Sequence, residues 1–287
     1  MHFIIPRTSV EGITARVIQT TPLVIIPQRE VEEVKKENPA PASPMLQLEF
    51  TEINLQKSMI DYRDSMNAMF AAVDAGRINV RPKKMDLDSF HFDLGDISLQ
   101  QTKASFRMGK RSIAKSESKG KNTAPDTAQT QQNIRFALNS LQLDEVALKF
   151  DDDNSPKQAY GMDYMHLNAA IPQLTINRFL FNTDTIAGVI AKASLKEQSG
   201  FQLDQLKTDF LYASNQAYLK DLYLKTPGTE IKRNIAIRYA SLESMVNDLG
   251  NLQINADLDK SRIQVKDVLT FVPTLRAQPA FASPNAT

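Results

Sequence analysis

The residues of this chain that could do chemistry are three histidines and one acidic run. The histidines are His2, His91 and His166, and none of them belongs to a HExxH-like motif that would hold zinc. His91 lies between Phe90 and Phe92, so on a strand its side chain points away from theirs. We therefore expect His91 to be an exposed histidine rather than a metal ligand.

The acidic run "DDDNS" at Asp151 to Ser155 begins like a calcium-binding loop. A loop of the EF-hand type needs glycine at its sixth position and glutamate at its twelfth. This chain has Pro156 and Met162 at those positions. The run is therefore predicted to be a polar hairpin tip, and no metal site is expected.

Motifs for nucleophilic catalysis and phosphate binding are missing from the sequence. No serine lies in a GxSxG elbow, and there is no GxGxxG or GxxxxGK[ST] loop. The chain has no cysteine, which excludes a disulfide scaffold, a cysteine nucleophile and a thiolate metal site. We therefore predict no catalytic residue and no cofactor, and we expect that the protein is not an enzyme.

Length and charge narrow the possible classes further. Of the 287 residues, 42% are hydrophobic, which is enough to bury a substantial surface. Lys and Arg number 34 against 33 Asp and Glu, a net charge of +1, whereas a nucleic-acid-binding domain carries a clear basic excess.

No apolar run reaches about 18 residues, so no transmembrane helix is predicted. The first ten residues lack the features of a signal peptide, and their strand-like character suggests an internal piece of a longer protein.

Alternation of apolar and polar residues predicts mainly strands. The run "SLQLDEVALKFDDD" alternates at period two but shifts once by one residue, which indicates a bulge or a tight turn. Its apolar residues are Leu141, Leu143, Val146, Leu148 and Phe150. Helical patterns are scarce, and only the segments 241–250 and 266–275 predict short helices.

An internal repeat relates two parts of the chain. Residues 46–64 match residues 134–152 at an offset of 88, and residues 85–99 match residues 174–188 at an offset of 89. The matched pairs include Phe50 with Leu138, Ile53 with Leu141, Leu55 with Leu143, Tyr62 with Phe150, and Asp64 with Asp152. A shared register of this length predicts two related strand units.

Within the units, one motif recurs: an apolar residue, two spacers, an apolar residue, one spacer and an apolar residue. It occurs at Phe50-Ile53-Leu55, Leu87-Phe90-Phe92, Leu138-Leu141-Leu143, Ile176-Phe179-Phe181 and Leu219-Leu222-Leu224. A leucine-rich repeat would show a near-constant period of about 20–29 residues and a following Asn or Cys. The motifs here are unevenly spaced and lack that residue, so a leucine-rich repeat is not predicted.

Composition divides the chain into strand units and polar linkers. A charged, proline-rich stretch is solvated and extended, and a long polar stretch buries too little apolar surface to order itself. The predicted division is the end of a preceding strand unit at 1–30, a charged and proline-rich linker at 31–44, a first β unit at 45–108, a disordered polar linker at 109–133, a second β unit with continuing strands at 134–275, and a tail at 276–287.

The hairpin "AYLKDLYLKTPGTEIKR" shows the problem that such strands pose. It is apolar on one side and polar on the other, and a turn is predicted at Pro227-Gly228. An amphipathic sheet must cover its apolar face, and this chain has few helices to do so. A second sheet would give a closed sandwich, whereas a curled sheet would leave the face to be covered by the acyl chains of a lipid. Both arrangements fit the composition.

Three stretches carry a family resemblance: "LKEQSGFQLDQLKTDF", "YLKDLYLKTPGTEIK" and "ADLDKSRIQVKDVLTFVPTL". They resemble the TamB-like translocation and assembly module proteins of Bacteroidetes, which are relatives of the AsmA-like family. The resemblance covers most of the chain from Leu46 to Phe281 and is best from Tyr160 onward.

The resemblance implies a fold and a function. The expected fold is all-β, an elongated, repeat-built and curled antiparallel sheet (a β-taco or groove) with one or two short helices. The expected protein is periplasmic, anchored to the inner membrane through a segment outside this chain, and conducts phospholipids between the inner and outer membranes. Family members work with outer-membrane barrel proteins of the Omp85 type, which the resemblance does not place on this chain. A non-catalytic β scaffold that assists outer-membrane barrel assembly or secretion is the alternative.

Eight residues are the candidate lining of such a groove and would contact phospholipid acyl chains. They are Leu141, Leu143, Leu148, Phe150, Phe179, Phe181, Leu222 and Leu224.

Overall fold

The alternating sequence forms seventeen strands in the part of the chain that the structure describes. A computed structural model describes residues 2–20, 47–86, 91–110, 135–241, 251–258 and 260–277. The strands are β1 His2–Ile5, β2 Thr8–Glu11, β3 Thr14–Gln19, β4 Gln47–Phe50, β5 Ile53–Asp64, β6 Met69–Arg81, β7 Lys84–Asp86, β8 His91–Asp93, β9 Asp96–Gln100, β10 Lys103–Met108, β11 Arg135–Asp152, β12 His166–Phe181, β13 Thr185–Glu197, β14 Gln202–Ala213, β15 Gln216–Lys225, β16 Glu230–Arg238 and β17 Gln253–Asp257.

Fifteen of these strands form one sheet. Its main path runs β17-β16-β15-β14-β13-β12-β11-β10-β6-β5-β2, with β3 also beside β5, and β8 and β9 also beside β11. β1 and β4 form a separate parallel pair. Of the described residues, 67% are in strands and 6% are helical, so the predicted all-β class is confirmed.

The sheet is mixed rather than wholly antiparallel. β2 and β3 run parallel to β5, and β8, β9 and β10 run parallel to β11. Parallel neighbours need a long connection that returns the chain to the starting end of the strand. The chain supplies such connections at 20–46 and 109–134, which contain the two polar segments identified in the sequence.

The helical predictions have different outcomes. The segment 266–275 is confirmed, since helix α1 spans Val265–Phe271 and a 3₁₀ turn follows at Pro273–Ala277. Of the other predicted helix, residues 242–250 lie outside the described residues, as do the linker 31–44 and residues 111–133 of the second linker. No helix among the described residues combines the length and the apolar character needed to cross a membrane.

A line of bulge-like residues with positive φ, each called a bulge below, crosses the sheet near the middle of the long strands. Lys57, Gln101 and Glu145 have positive φ angles of 44°, 47° and 52°, and these residues lie at matching levels of β5, the β9–β10 junction and β11. Each of these residues shifts the alternation of its own strand by one, and because neighbouring strands do so at the same level the register between them is unchanged. Such an irregularity bends the strand and increases its twist. The sheet is therefore bent along this line.

The bulges explain the irregular alternation of the sequence. At each bulge the spacing between residues of the same face lengthens from two to three, as from Leu143 to Val146 around Glu145. One inserted residue shifts the alternation by one, so the apolar residues before and after the bulge stay on the same face. The sequence predicts a bulge or a tight turn between Leu143 and Val146, and the structure has the positive-φ residue Glu145 within one continuous strand.

The recurring sequence motif has the same cause. Its two-spacer step spans Arg178 in the motif that starts at Ile176, and Asp221 in the motif that starts at Leu219. Both Arg178 and Asp221 have positive φ, 52° and 50°. In these two of its five occurrences, the motif therefore marks a bulged strand.

The side chains along the bulge line are the most deeply buried of the sheet. This crease row consists of Ser58, Ala75, Thr102, Val146 and Ile171, which are neighbours across the strands. Its first four members are 0–2% exposed. Among the described elements, each long strand packs mainly against its hydrogen-bonded neighbours, and no second layer covers the crease row. The flanking rows of the same face cover it, so the sheet bends toward that face.

Gly76 in β6 lies opposite the bulge at Gln101, and the space there is too small for a side chain. A Cβ at Gly76 would lie 2.4 Å from the Gln101 carbonyl oxygen and 2.7 Å from that of Gln100. Both atoms belong to backbone that is fixed by hydrogen bonds on its other side, since the Gln101 N–H donates to the Asp144 carbonyl at 2.9 Å. The bend therefore requires glycine at position 76.

We expect Gly76→Ala to lower the free energy of unfolding by about 2 kcal/mol or more, because the added methyl group collides with backbone. Gly188→Ala is the control, since a Cβ there would lie 3.2 Å from the Phe210 ring, which is able to rotate aside. Urea unfolding of the two variants measures the difference. Equal losses in both variants would contradict the steric role of Gly76.

Candidate functional site

One face of the sheet carries almost only apolar residues and is here called the apolar face. Cross-strand register groups its residues into rows. On one side of the bulge line the rows are Ile60-Val73-Ala104-Leu148-Ala169 and Tyr62-Ala71-Phe106-Phe150-Leu167. On the other side they are Ile53-Val80-Ile97-Leu141-Ile176 and Leu55-Ile78-Leu99-Leu143-Leu174.

The last of these rows extends across the rest of the sheet. The register continues from Leu174 through four further strands. The added members are Ala193, Leu206, Leu224 and Ile231. The apolar face therefore runs from β5 to β16 without a charged residue in this row.

The opposite face is polar. A row in register with the apolar ones reads Asp61-Ala72-Ser105-Lys149-Asn168. Ion pairs form on this side, including Lys149 with Asp151 at 3.0 Å and Arg16 with Asp61 at 3.5 Å. Each pair is largely solvated, so it contributes little to stability. The sheet therefore has one polar face and one apolar face.

The apolar face is partly open to solvent. Phe106, Leu148 and Val17 are 38%, 39% and 52% exposed, and among the described elements no layer packs over them. The Phe106 and Phe150 rings stack across neighbouring strands with centroids 6.2 Å apart. A contiguous exposed apolar surface of this kind usually marks a binding surface.

The eight candidate lining residues all fall on this face once the bulges are counted. Leu141, Leu143, Leu148 and Phe150 lie in the rows above, and Leu224 lies in the extended row. Phe179 and Phe181 are in register with Leu138 and Phe136 of β11, and the Phe136 and Phe181 rings lie 6.3 Å apart. Leu222 is only 3% exposed, so it packs within the sheet rather than offering surface. Their contact with lipid stays a prediction.

Several residues of the face were missed in the sequence. Leu99 and Phe106 lie on the same strand line, but the polar Thr102 and small Ala104 between them hide the pattern. The step of three from Leu99 to Thr102 is the same bulge spacing found in β11. This spacing in the sequence indicates that Leu99 and Phe106 share a face.

Polar groups on the apolar face are satisfied locally. The Glu197 carboxylate accepts hydrogen bonds from the backbone N–H groups of Asn168 at 3.0 Å and Ser199 at 2.7 Å. Burial acts to raise the pKa of Glu197, but the hydrogen bonds outweigh it and hold the pKa below its usual range. The Thr208 hydroxyl donates to the Lys220 carbonyl at 3.0 Å. No buried side-chain polar atom of the described residues lacks a partner.

Two aspartates close the turns at one rim of the sheet in the same way. Asp64 ends β5 and accepts the N–H groups of Met66 and Asn67 at 2.9 and 3.1 Å, and the Asn67 amide at 2.7 Å. Asp152 ends β11 and accepts the Asn154 N–H at 2.9 Å, so "DDDNS" is a polar turn, as predicted. The two residues are matched at the offset of 88. The Asn67 side chain is the main cause that lowers the pKa of Asp64.

Because the pKa of Asp64 is lowered on folding, its ionised form stabilises the fold above the ordinary value of about 3.9. This contribution is lost as the pH falls through the folded-state pKa. We expect Asp64→Asn to be less stable than the parent protein at pH 7, with a gap that closes toward pH 3. The exposed Asp144→Asn is the control and leaves stability nearly unchanged. Urea midpoints across pH measure the gap, and a gap that is constant with pH would contradict this role.

The histidine with the most contacts is on the polar face. His166 is 4% exposed, with Nε2 3.0 Å from the Ser155 carbonyl and Nδ1 3.4 Å from the Asp151 carboxylate. A carbonyl only accepts, so Nε2 donates, and the ring ties the ends of β11 and β12 together. A cavity of about 510 Å³ lies beside it. No group of three or more His, Asp or Glu in the described residues could hold a metal, and His91 is exposed, as predicted.

Helix α1 fastens the other end of the sheet. The turn predicted at Pro227-Gly228 joins β15 to β16, and its flanking Thr226 and Thr229 hydroxyls donate to the Asp267 carboxylate at 2.5 and 2.7 Å. The Tyr164 hydroxyl donates to the Phe271 carbonyl at 2.6 Å. The helix thus holds strand ends together.

Comparison with known proteins gives no relative on which to base a function. No family model, no curated protein and no solved structure matches the chain. The resemblance to TamB-like proteins therefore stays a prediction.

Proposed function

We propose that this chain is a segment of an elongated periplasmic protein whose apolar β face conducts phospholipids between the inner and outer membranes. In this function the acyl chains cover the apolar face and the headgroups stay in water. The segment supports outer-membrane biogenesis and performs no catalysis.

One observation carries the proposal, which is that the apolar face is continuous, bent and uncovered by any described element. A soluble sandwich would close this face with a second sheet of about equal size. The described strands instead form a single layer. An acyl chain is a suitable cover because it is apolar, flexible and long in one dimension.

Dimensions and energies suit transport along the sheet. The main path has eleven strand positions, and strands lie about 4.8 Å apart, so the sheet is roughly 48 Å long from edge to edge. Each CH₂ group removed from water is worth about 0.8 kcal/mol, which holds a lipid firmly against escape. The contacts are non-directional and repeat from strand to strand, so moving along the face changes the energy little.

The periplasmic location, the attachment to the inner membrane and the Omp85-type partner rest on the family resemblance alone. The absence of cysteine agrees with an oxidising compartment in which stray thiols are avoided.

We expect the double variant Leu148→Gln and Phe106→Gln to bind phospholipid at least about tenfold more weakly, because two half-covered apolar side chains contribute about 2 kcal/mol. The matched control is Lys149→Gln with Ser105→Gln, which changes the adjacent residues on the polar face. The measurements are native mass spectrometry of co-purified lipid and transfer of fluorescent phospholipid between vesicles of phosphatidylethanolamine and phosphatidylglycerol.

A photo-reactive residue at Phe179 should also capture phospholipid in cells. If no lipid co-purifies and none is captured, the conduit is wrong, and the alternative of a protein-binding β scaffold gains support. Equal loss in both double variants would show that the apolar face is not the lipid site.

A further inference from the structure

Among the described strands, the sheet ends on one side at β2 and β3, which together form a single bulged strand line here called the β2–β3 edge. Ile13, Val17 and Ile18 are 46%, 52% and 53% exposed along this line. Charge is sparse and no proline interrupts residues 8–19. An exposed apolar edge without such protection is a template for a further strand.

Within the described part of the chain, the backbone of residues 8–18 of this edge is paired with another strand on one side only. Toward β5, the Thr8 and Gly12 N–H groups donate to the Glu52 and Gln56 carbonyls at 2.8 and 3.1 Å, and the Ile13 carbonyl accepts the Met59 N–H at 2.8 Å. Successive residues of a strand point their hydrogen-bonding groups to opposite sides. The outward set is therefore Ser9, Glu11, Thr14, Arg16 and Ile18.

The same strand arrangement occurs a second time, and there the outer side is occupied. β9 and β10 run parallel to β11 with a bulge at Gln101, as β2 and β3 run parallel to β5 with a bulge at Gly12, whose φ is 71°. On their outer side β9 and β10 pair with β6, antiparallel.

We propose that the β2–β3 edge binds an extended, antiparallel strand of another polypeptide, with apolar residues at alternate positions and a glycine opposite Gly12. The glycine requirement follows from Gly76, which faces the equivalent bulge with no room for a Cβ. This inference does not depend on lipid transport, because it concerns backbone pairing at the end of the sheet.

Transferring the β6 register by the offset of 89 gives the chemistry of the bound strand. The offset matches Glu11 with Gln100 and Val10 with Leu99, which lie opposite Arg77 and Ile78 of β6. The bound strand therefore has the position of Arg77 opposite Glu11 and the position of Ile78 opposite Val10. An apolar residue opposite Val10 and a basic residue opposite Glu11 are therefore favoured. The other sheet edge, β17 "QINAD", contains no glycine, so the same edge of a second copy does not meet this requirement.

A labelled peptide with the β6 sequence, residues 69–81, tests the proposal against the full chain by fluorescence anisotropy. We expect saturable binding, reduced at least tenfold by Gly76→Val in the peptide. In the protein, Arg16→Pro removes an outward N–H and should abolish binding, while Arg16→Ala, which also loses the ion pair to Asp61, should bind like the parent. Matching unfolding midpoints for the two variants show that the proline variant is folded.

Disulfide formation between the protein and the peptide measures the pairing register independently of the proline variant. The protein has no cysteine, so Thr14→Cys in the protein and Asp74→Cys in the peptide should form a disulfide, whereas Arg81→Cys in the peptide should not. No saturable binding, binding that survives Arg16→Pro in a folded protein, or equal disulfide yields at both peptide positions would each overturn the proposal. A dimer that dissociates on Arg16→Pro without peptide binding would also overturn it, by assigning the edge to a second copy.

Discussion

The inserted bulge residue is the constraint on which the rest of this structure depends. A strand of twelve to eighteen residues has to keep one face apolar over its whole length while the sheet bends. Each bulge changes the direction of the strand and shifts the alternation by one, so the sequence must place its apolar residues three apart there. Leu55, Leu99 and Leu143 are all followed at that spacing by a buried residue of the crease row.

The bend in turn restricts the side chains beside it. Ser58, Ala75 and Thr102 are small because the flanking rows close over them, and Gly76 has no side chain because carbonyl groups occupy its space. Tight packing along the crease leaves the large side chains on either side of it, where they form the apolar face. The crease row is therefore buried by its neighbours, while side chains such as Phe106 and Leu148 on the same face stay partly exposed.

The sequence predicts the strands, the turn at Pro227-Gly228 and the bulge in β11 well, because alternation and turn residues act locally. It does not predict the parallel pairing of β2 and β3 with β5, since both partners lie far apart in the chain and nothing local distinguishes parallel from antiparallel neighbours. The sequence identifies residues of the apolar face where these residues are large. Those on β9 and β10 were missed because Thr102 and Ala104 are buried through their position rather than their hydrophobicity.

A single-layer sheet has a consequence for cooperativity. Each strand contacts essentially its two neighbours, so stability is a sum of nearest-neighbour terms, as in solenoid proteins. Adding or removing a pair of strands leaves distant pairings unchanged, whereas in a globular core it would disturb all of them. The length of such a sheet is therefore free to change by whole strand pairs, without redesign of the strands already present.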